Sequence, residues 1–192
     1  MSIARSGFFI AMALAHTILS ILIELPASGY DIGKRFEDGI SCFWQASQQQ
    51  IYRELGKMEG AGWVSKHTVP QKGKPDKKIY SITPEGKQIL LHWCLQPTEP
   101  TPIREDLLVR IMDFPYVKSD VILGEIQRRK LLHQQHLQHF REKQAHYLEH
   151  GQFKDDPPSA RDRYRYLTLL RGIRFEESWV DWCDEVLEAL GS

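Results

Sequence analysis

A mainly α-helical fold with a small β-hairpin is what this 192-residue chain predicts: an N-terminal winged helix-turn-helix followed by a C-terminal pair of long helices. Three observations carry that reading. Residues 46–86 hold an amphipathic helix, a hairpin with a lysine-rich tip and a capped second helix, in tandem. Three prolines fall within residues 96–102 and mark a break. Nearly everything after them has helical periodicity.

Helix 1 is expected over residues 13–25, with Leu14, Ile18, Leu22 and Leu25 on one face and Pro26 as its stop. Ser28 caps a second helix, residues 29–36, with Ile32 and Phe36 at i, i+4. Ser47 caps a third, with Gln50 at the capping-box distance, a buried stripe of Ile51, Leu55 and Met58, and Gly60 and Gly62 at its end. The hairpin arms are residues 63–69 and 77–83, joined through Pro70, Gly73 and Pro75. Thr83-Pro84 opens a fourth helix as N-cap and first helical residue, running to about residue 95.

Beyond the break, residues 104–114 form a short helix ending at Pro115. Residues 118–150 form a long one, in which positions 123, 126, 130, 133, 137, 140, 144 and 147 make a half-apolar seam at 3–4 spacing. Ser159 with Asp162 caps a last helix, residues 160–190, carrying Phe175, Trp179, Trp182, Val186 and Leu190. Such seams need a partner surface, and the simplest is a second copy of the same helices; packing back onto the first domain is the alternative. Leu137, Phe140, Tyr147, Phe175, Trp179, Trp182, Val186 and Leu190 are the expected dimerisation residues. The domains are then 1–96 (with 1–11 as an extra N-terminal arm or an upstream start), a linker at 97–103, and 104–192.

Composition fits a folded soluble protein: 42% hydrophobic, 26% charged, net charge zero. The zero hides an asymmetry. Residues 1–92 carry 11 basic against 8 acidic side chains, net +3, and residues 93–192 carry 14 against 17, net −3. A nucleic-acid binder needs a local basic surface, and residues 72–78 supply one. Cys42, Cys94 and Cys183 are scattered and make no metal spacing, as expected of reduced thiols in the cytoplasm. Residues 7–23 lack charge, but His16, Thr17 and Ser20 interrupt them and they fall short of the roughly 18–20 apolar residues of a span, so a buried helix explains them better than a membrane.

In a winged helix, the exposed N-terminal side chains of the third helix meet the major groove. Here these are Ser47, Gln48, Gln49, Tyr52 and Arg53, where glutamine matches an adenine edge and arginine matches guanine or phosphate. Lys72, Gly73, Lys74, Lys77 and Lys78 stand at the wing tip, the lysines reaching backbone and the glycine tightening the turn. Tyr30 can donate to a phosphate. A glutamine run or a lysine-rich turn alone is often a solvated face; their combination points to double-stranded DNA. The competing reading is a winged-helix protein-interaction module without DNA affinity.

Catalysis finds little support. There is no nucleophile elbow, phosphate loop or HExxH signature. His133, His136 and His139, and His146 with His150, have helical chelating spacings. No carboxylate or cysteine nearby in sequence completes a site, so no metal, no cofactor and no enzyme activity are expected.

At these same residues the chain resembles the PadR family of bacterial winged-helix transcription regulators. Residues 28–32 (SGYDI), 51–55 (IYREL) with Gly62, and 73–83 (GKPDKKIYSIT) with Gly86 carry the likeness. Residues 43–47 (FWQAS), Gln49-Gln50 and 52–55 look most like the virulence-activator AphA branch, and residues 167–171, Trp179 and 182–187 extend the match. The resemblance implies a cytoplasmic homodimer on a pseudo-palindromic operator, acting as repressor or activator, with dimerisation through the C-terminal helices. In some members it also implies a small aromatic or drug-like effector; Trp93, Trp179 and Trp182 are candidates to line its cavity. Gln49 departs from the glycine of many members, so base contacts do not carry over directly.

Overall fold

The computed structural model describes residues 14–36, 46–73, 76–100, 102–149 and 160–191. Expectations for residues 1–13, for Cys42, Phe43 and Trp44, for Lys74 and Pro75, for His150 and for the Ser159 cap lie outside them. The chain divides into two compact units, residues 1–100 and 101–192.

The first unit opens with helical residues 14–22 (α1). The helix ends at residue 22, three residues before the expected stop, because a turn over 23–25 leads into Pro26. Leu14, Ile18 and Leu22 are buried as expected, but Leu25 is 62% exposed. A two-residue strand, Ala27–Ser28 (β1), follows, then Gly29–Arg35 (α2) and Gln48–Gly60 (α3). Strands Val64–Val69 (β2) and Lys77–Ile82 (β3) form the hairpin, and Pro84–Cys94 (α4) closes the unit. The sheet is antiparallel with order β1-β3-β2, so β1 adds a third strand that the sequence did not announce. Two residues are too short for any alternation to show.

The starts of α2, α3 and α4 each have a chemical cause. Ser28 accepts from the Asp31 backbone and Asp31 reaches back to the Ser28 N–H, a full capping box. Ser47 and Gln50 do the same for α3. Thr83 accepts from Gly86 N at 3.0 Å and donates to Gly62 O at 2.7 Å, tying α4 to the end of α3. Ile18 and Leu22 of α1, Ile32 of α2, and Ile51, Leu55 and Met58 of α3 meet in one core with Val64 and Tyr80 of the sheet and Leu90 of α4. Each fully buried aliphatic side chain there contributes about 1.5–3 kcal/mol. His16 stacks on Trp93, ring centres 4.6 Å apart, so this tryptophan serves the first unit's packing.

The second unit contains Asp106–Met112 (α5), a 3-10 turn at Phe114–Tyr116, Ser119–Glu149 (α6) and Ala160–Gly191 (α7). Glu105 caps α5 and also accepts from Arg129 of α6 at 3.0 Å. Leu107, Ile122, Ile126 and Cys183 form the core, with Trp179, Trp182, Val186 and Leu190 packed around them. Burial pushes the Cys183 thiol up, which keeps it protonated and inert.

All eight seam positions of α6 are buried or half-buried, and α7 is the element packed most extensively against α6, with Leu107 of α5 joining it at Ile126. The three polar seam positions are answered on α7. Lys130 pairs with Asp184. His133 Nδ1 lies 2.5 Å from Glu176, and Gln144 donates to Tyr166 at 3.2 Å. The half-apolar pattern is thus the signature of an internal interface. Of the eight residues assigned to dimerisation, Leu137 and Phe140 are buried in the unit, while Phe175 stays 43% exposed.

Candidate nucleic-acid interface

Helix α3 separates its two faces by period. Ile51, Leu55 and Met58 point into the core, and Glu54 is buried beside Lys57, with which it pairs at 2.8 Å. Ser47, Gln48, Gln49, Tyr52 and Arg53 are exposed on the other side. The glutamine run is not uniform in role. Gln50 is spent on the capping box, its Oε1 accepting from Ser47 N at 2.8 Å, and the Ser47 hydroxyl accepts from Gln50 N in return. Gln49 and Arg53 are left as the side chains directed outward at i, i+4.

Two glycines set how α2 and α3 meet. A Cβ on Gly29 would stand 2.4 Å from the Tyr52 ring, and a Cβ on Gly33 would stand 1.8 Å from Gln48 Nε2. The i, i+4 pair on α2 therefore forms a groove for the i, i+4 pair on α3. Tyr52 and Gln48 are partly packing residues, which fixes where the exposed parts of both are held. Sequence reasoning missed this role for Gly29 and Gly33, although two glycines one turn apart in a short helix are a signal of close approach. Tyr30, 61% exposed, shares a face of α2 with exposed Lys34, a cation that sequence reasoning also missed.

The wing is built on a strict register, with Val69 opposite Lys77, Thr68 opposite Lys78 and Lys66 opposite Tyr80. Gly73 adopts φ 73°, the left-handed region that favours glycine in a tight turn. Lys72 and Lys78 are exposed. Lys77 is not equivalent to them: its ammonium lies 2.9 Å from Asp31 Oδ2. Asp31 also accepts from Ser28 Oγ at 2.7 Å. The hydrogen bond from Lys77 and then that from Ser28 hold the Asp31 carboxyl below the usual carboxylate range. One carboxylate thus joins the cap of α2 to the base of the wing. Lys66, on β2, pairs with Glu59 of α3 at 2.8 Å and braces the hairpin from the other side.

A half-exposed helix face of amide, phenol and guanidinium beside a hairpin with exposed lysines is the geometry of a helix that enters a groove while a loop holds backbone. Residues 18–91 match the model of the transcriptional regulator PadR-like family, and residues 103–191 match that of the virulence activator alpha C-term. The chain is 38% identical to the probable transcriptional regulator Rv1176c of Mycobacterium tuberculosis, across 93% of this chain and 98% of that one.

The chain belongs to the PadR-like family of transcriptional regulators.

Another relative, the negative transcriptional regulator PadR of Bacillus subtilis, is 30% identical across 91% of this chain and 95% of its own. The fold agrees with solved members. B. subtilis PadR in complex with operator DNA superposes with TM-score 0.79 at 25% identity, covering 93% of this chain and 97% of that one. The Vibrio cholerae virulence activator AphA does so with TM-score 0.75 at 31% identity, covering 93% and 98%. The mainly helical class with a small antiparallel sheet is therefore the PadR-like winged-helix fold, and the family is one of regulators, not enzymes. No helix among the described residues is long and apolar enough to cross a membrane.

Proposed function

We propose that this PadR-like regulator works in the cytoplasm as a homodimer that binds pseudo-palindromic operator DNA sequence-specifically. Helix α3 reads bases through Gln49 and Arg53, with Gln48, Tyr52 and Ser47 at the groove edge; Lys72, Lys74 and Lys78 hold phosphates, and Tyr30 donates to one. The observation that carries the reading is the division of α3 into a buried aliphatic face and an exposed polar one, set beside exposed Lys72 and Lys78 on the hairpin. The B. subtilis relative crystallised with its operator supports it.

Self-association is the second half of the reading. Leu131, Leu132 and Leu148 of α6 and Leu167 and Phe175 of α7 are exposed apolar side chains on helices whose inner seam is already filled. Isologous pairing would cover such a surface. Two reading heads then require half-sites about one helical turn, or a multiple of it, apart. A small-molecule effector remains a further partner of this proposal.

Fragments selected from the source genome, followed by anisotropy titrations at several salt concentrations, test it. Expected is log K falling linearly with log salt, at a slope of about −0.9 per phosphate neutralised. A protein that binds no genomic fragment at low salt is instead the interaction module, and one that sediments as a monomer overturns the homodimer.

A further inference from the structure

We propose that His133, His136 and Glu176 form a binding site for one divalent transition-metal ion of the zinc type, which clasps α6 to α7. The three side chains bring their donor atoms within 4.8 Å of one another. His133 and His136 are at i, i+3 on α6, so both rings leave the same helix face. Each turns its Nδ1 to one carboxylate of α7: His133 Nδ1 is 2.5 Å from Glu176 Oε2, and His136 Nδ1 is 3.6 Å from Oε1.

The site is held from outside. The His133 ring stacks on Trp179, nearly parallel at 4.7 Å, and meets Phe175 edge-on at 6.3 Å. Glu176 is buried, with only 5% exposure. Of the cations on neighbouring turns, Lys130 is matched by Asp184, Arg141 and Arg174 by Glu177, and Arg171 lies over the Phe175 ring. The Glu176 carboxylate faces the two imidazoles, so a metal ion held there would meet one carboxylate oxygen and two ring nitrogens.

Two imidazole nitrogens and one carboxylate are a donor set for zinc, cobalt, nickel or copper rather than for magnesium or calcium. Bond lengths of about 2.0–2.2 Å place tetrahedral donors roughly 3.3–3.5 Å apart. The short His133–Glu176 separation must open by roughly 1 Å and the longer one close slightly, both within side-chain motion. His136 is exposed, so the fourth position faces solvent and takes water. The sequence hid the site because the carboxylate lies 43 residues from His133.

The test needs only untagged full-length protein freed of metal by a chelator, and it is independent of DNA binding. Calorimetric titration with zinc chloride should give one ion per chain. His136→Ala, a change at an exposed side chain, should weaken binding by about tenfold or more, and Glu176→Gln likewise. His139→Ala, on the same helix but outside the cluster, should leave the affinity within about twofold. Cobalt bound to the native chain should show the intense visible bands of four- or five-coordination, lost in His136→Ala. Equal affinity in the native and His136→Ala proteins, equal loss in His139→Ala, or a weak octahedral cobalt spectrum would each overturn the site.

Discussion

The side-chain amide of Gln48 lies directly over Gly33, at 1.8 Å from where a Cβ would stand. The contact atom is the free end of a flexible side chain, so a methyl group there can displace it cheaply. Alanine is also the better helix former, by about 0.8–1 kcal/mol. Gly33→Ala should therefore leave Tm unchanged or higher while lowering affinity for the operator, because Gln48 is moved. Gly29→Ala meets a rigid Tyr52 ring and should cost roughly 1–3 kcal/mol. Thermal melts and anisotropy on the two variants would separate these outcomes; equal destabilisation by both would refute the packing account.

Arg53→Ala and Gln49→Ala should relax base preference rather than weaken all sequences alike, at about 1–3 kcal/mol for each bidentate pairing with a base edge. Competition among single-base operator variants measures this. A uniform drop in affinity across variants would move both residues to the phosphates.

The wing lysines should behave differently from each other. Lys72→Ala with Lys78→Ala should flatten the salt slope by about 0.9 for each phosphate no longer neutralised. Lys77 pairs with Asp31, and both side chains are more than a third exposed. Its replacement should alter stability by less than about 1 kcal/mol and change the slope less than the other two. A larger slope change from Lys77→Ala alone would make it a direct phosphate ligand.

Gly86→Ala places a methyl group 2.1 Å from the Trp63 carbonyl oxygen. Backbone cannot swing aside as Gln48 can, and Thr83, the cap of α4, bonds the same carbonyl at 3.0 Å. A loss of roughly 1–3 kcal/mol in urea denaturation is expected. Native stability would show that the junction is loose.

Glu125 has a folded pKa of about 2, below the ordinary value of 4.5, chiefly because Arg128 hydrogen-bonds it and Arg129 adds a second bond. A depressed carboxylate stabilises in its ionised form. Its contribution is complete above about 4.5 and is lost as pH falls toward about 2. The pair is at the surface, so the amount is below about 1 kcal/mol. Glu125→Gln should remove that part of the acid dependence and nothing at neutral pH beyond the same small loss; an unchanged acid limb would contradict it.

Much of the fold was legible because local chemistry decides it. Ser47 with Gln50 and Thr83 with Pro84 mark helix starts that are found at those residues. The stripe of Ile51, Leu55 and Met58 gives the buried face of α3, and Gly62, at φ 76°, follows its end. What stayed hidden is pairwise and long-range. No local pattern tells that Gln48 packs over Gly33 while Gln49 is free to point outward, or that Lys77 differs from Lys78.

The sequence by itself determined the helices and the hairpin, the buried stripe of the third helix and the cationic turn, since periodicity and capping act within a few residues. Only the tertiary structure decided which polar side chains remain for a partner. That choice depends on groups brought together from far along the chain: Asp31 to Lys77, Gly33 to Gln48, Asp184 to Lys130 and Glu176 to His133. A charge or amide near the interior is satisfied by whichever complement the packing delivers, and packing geometry is a property of the whole fold.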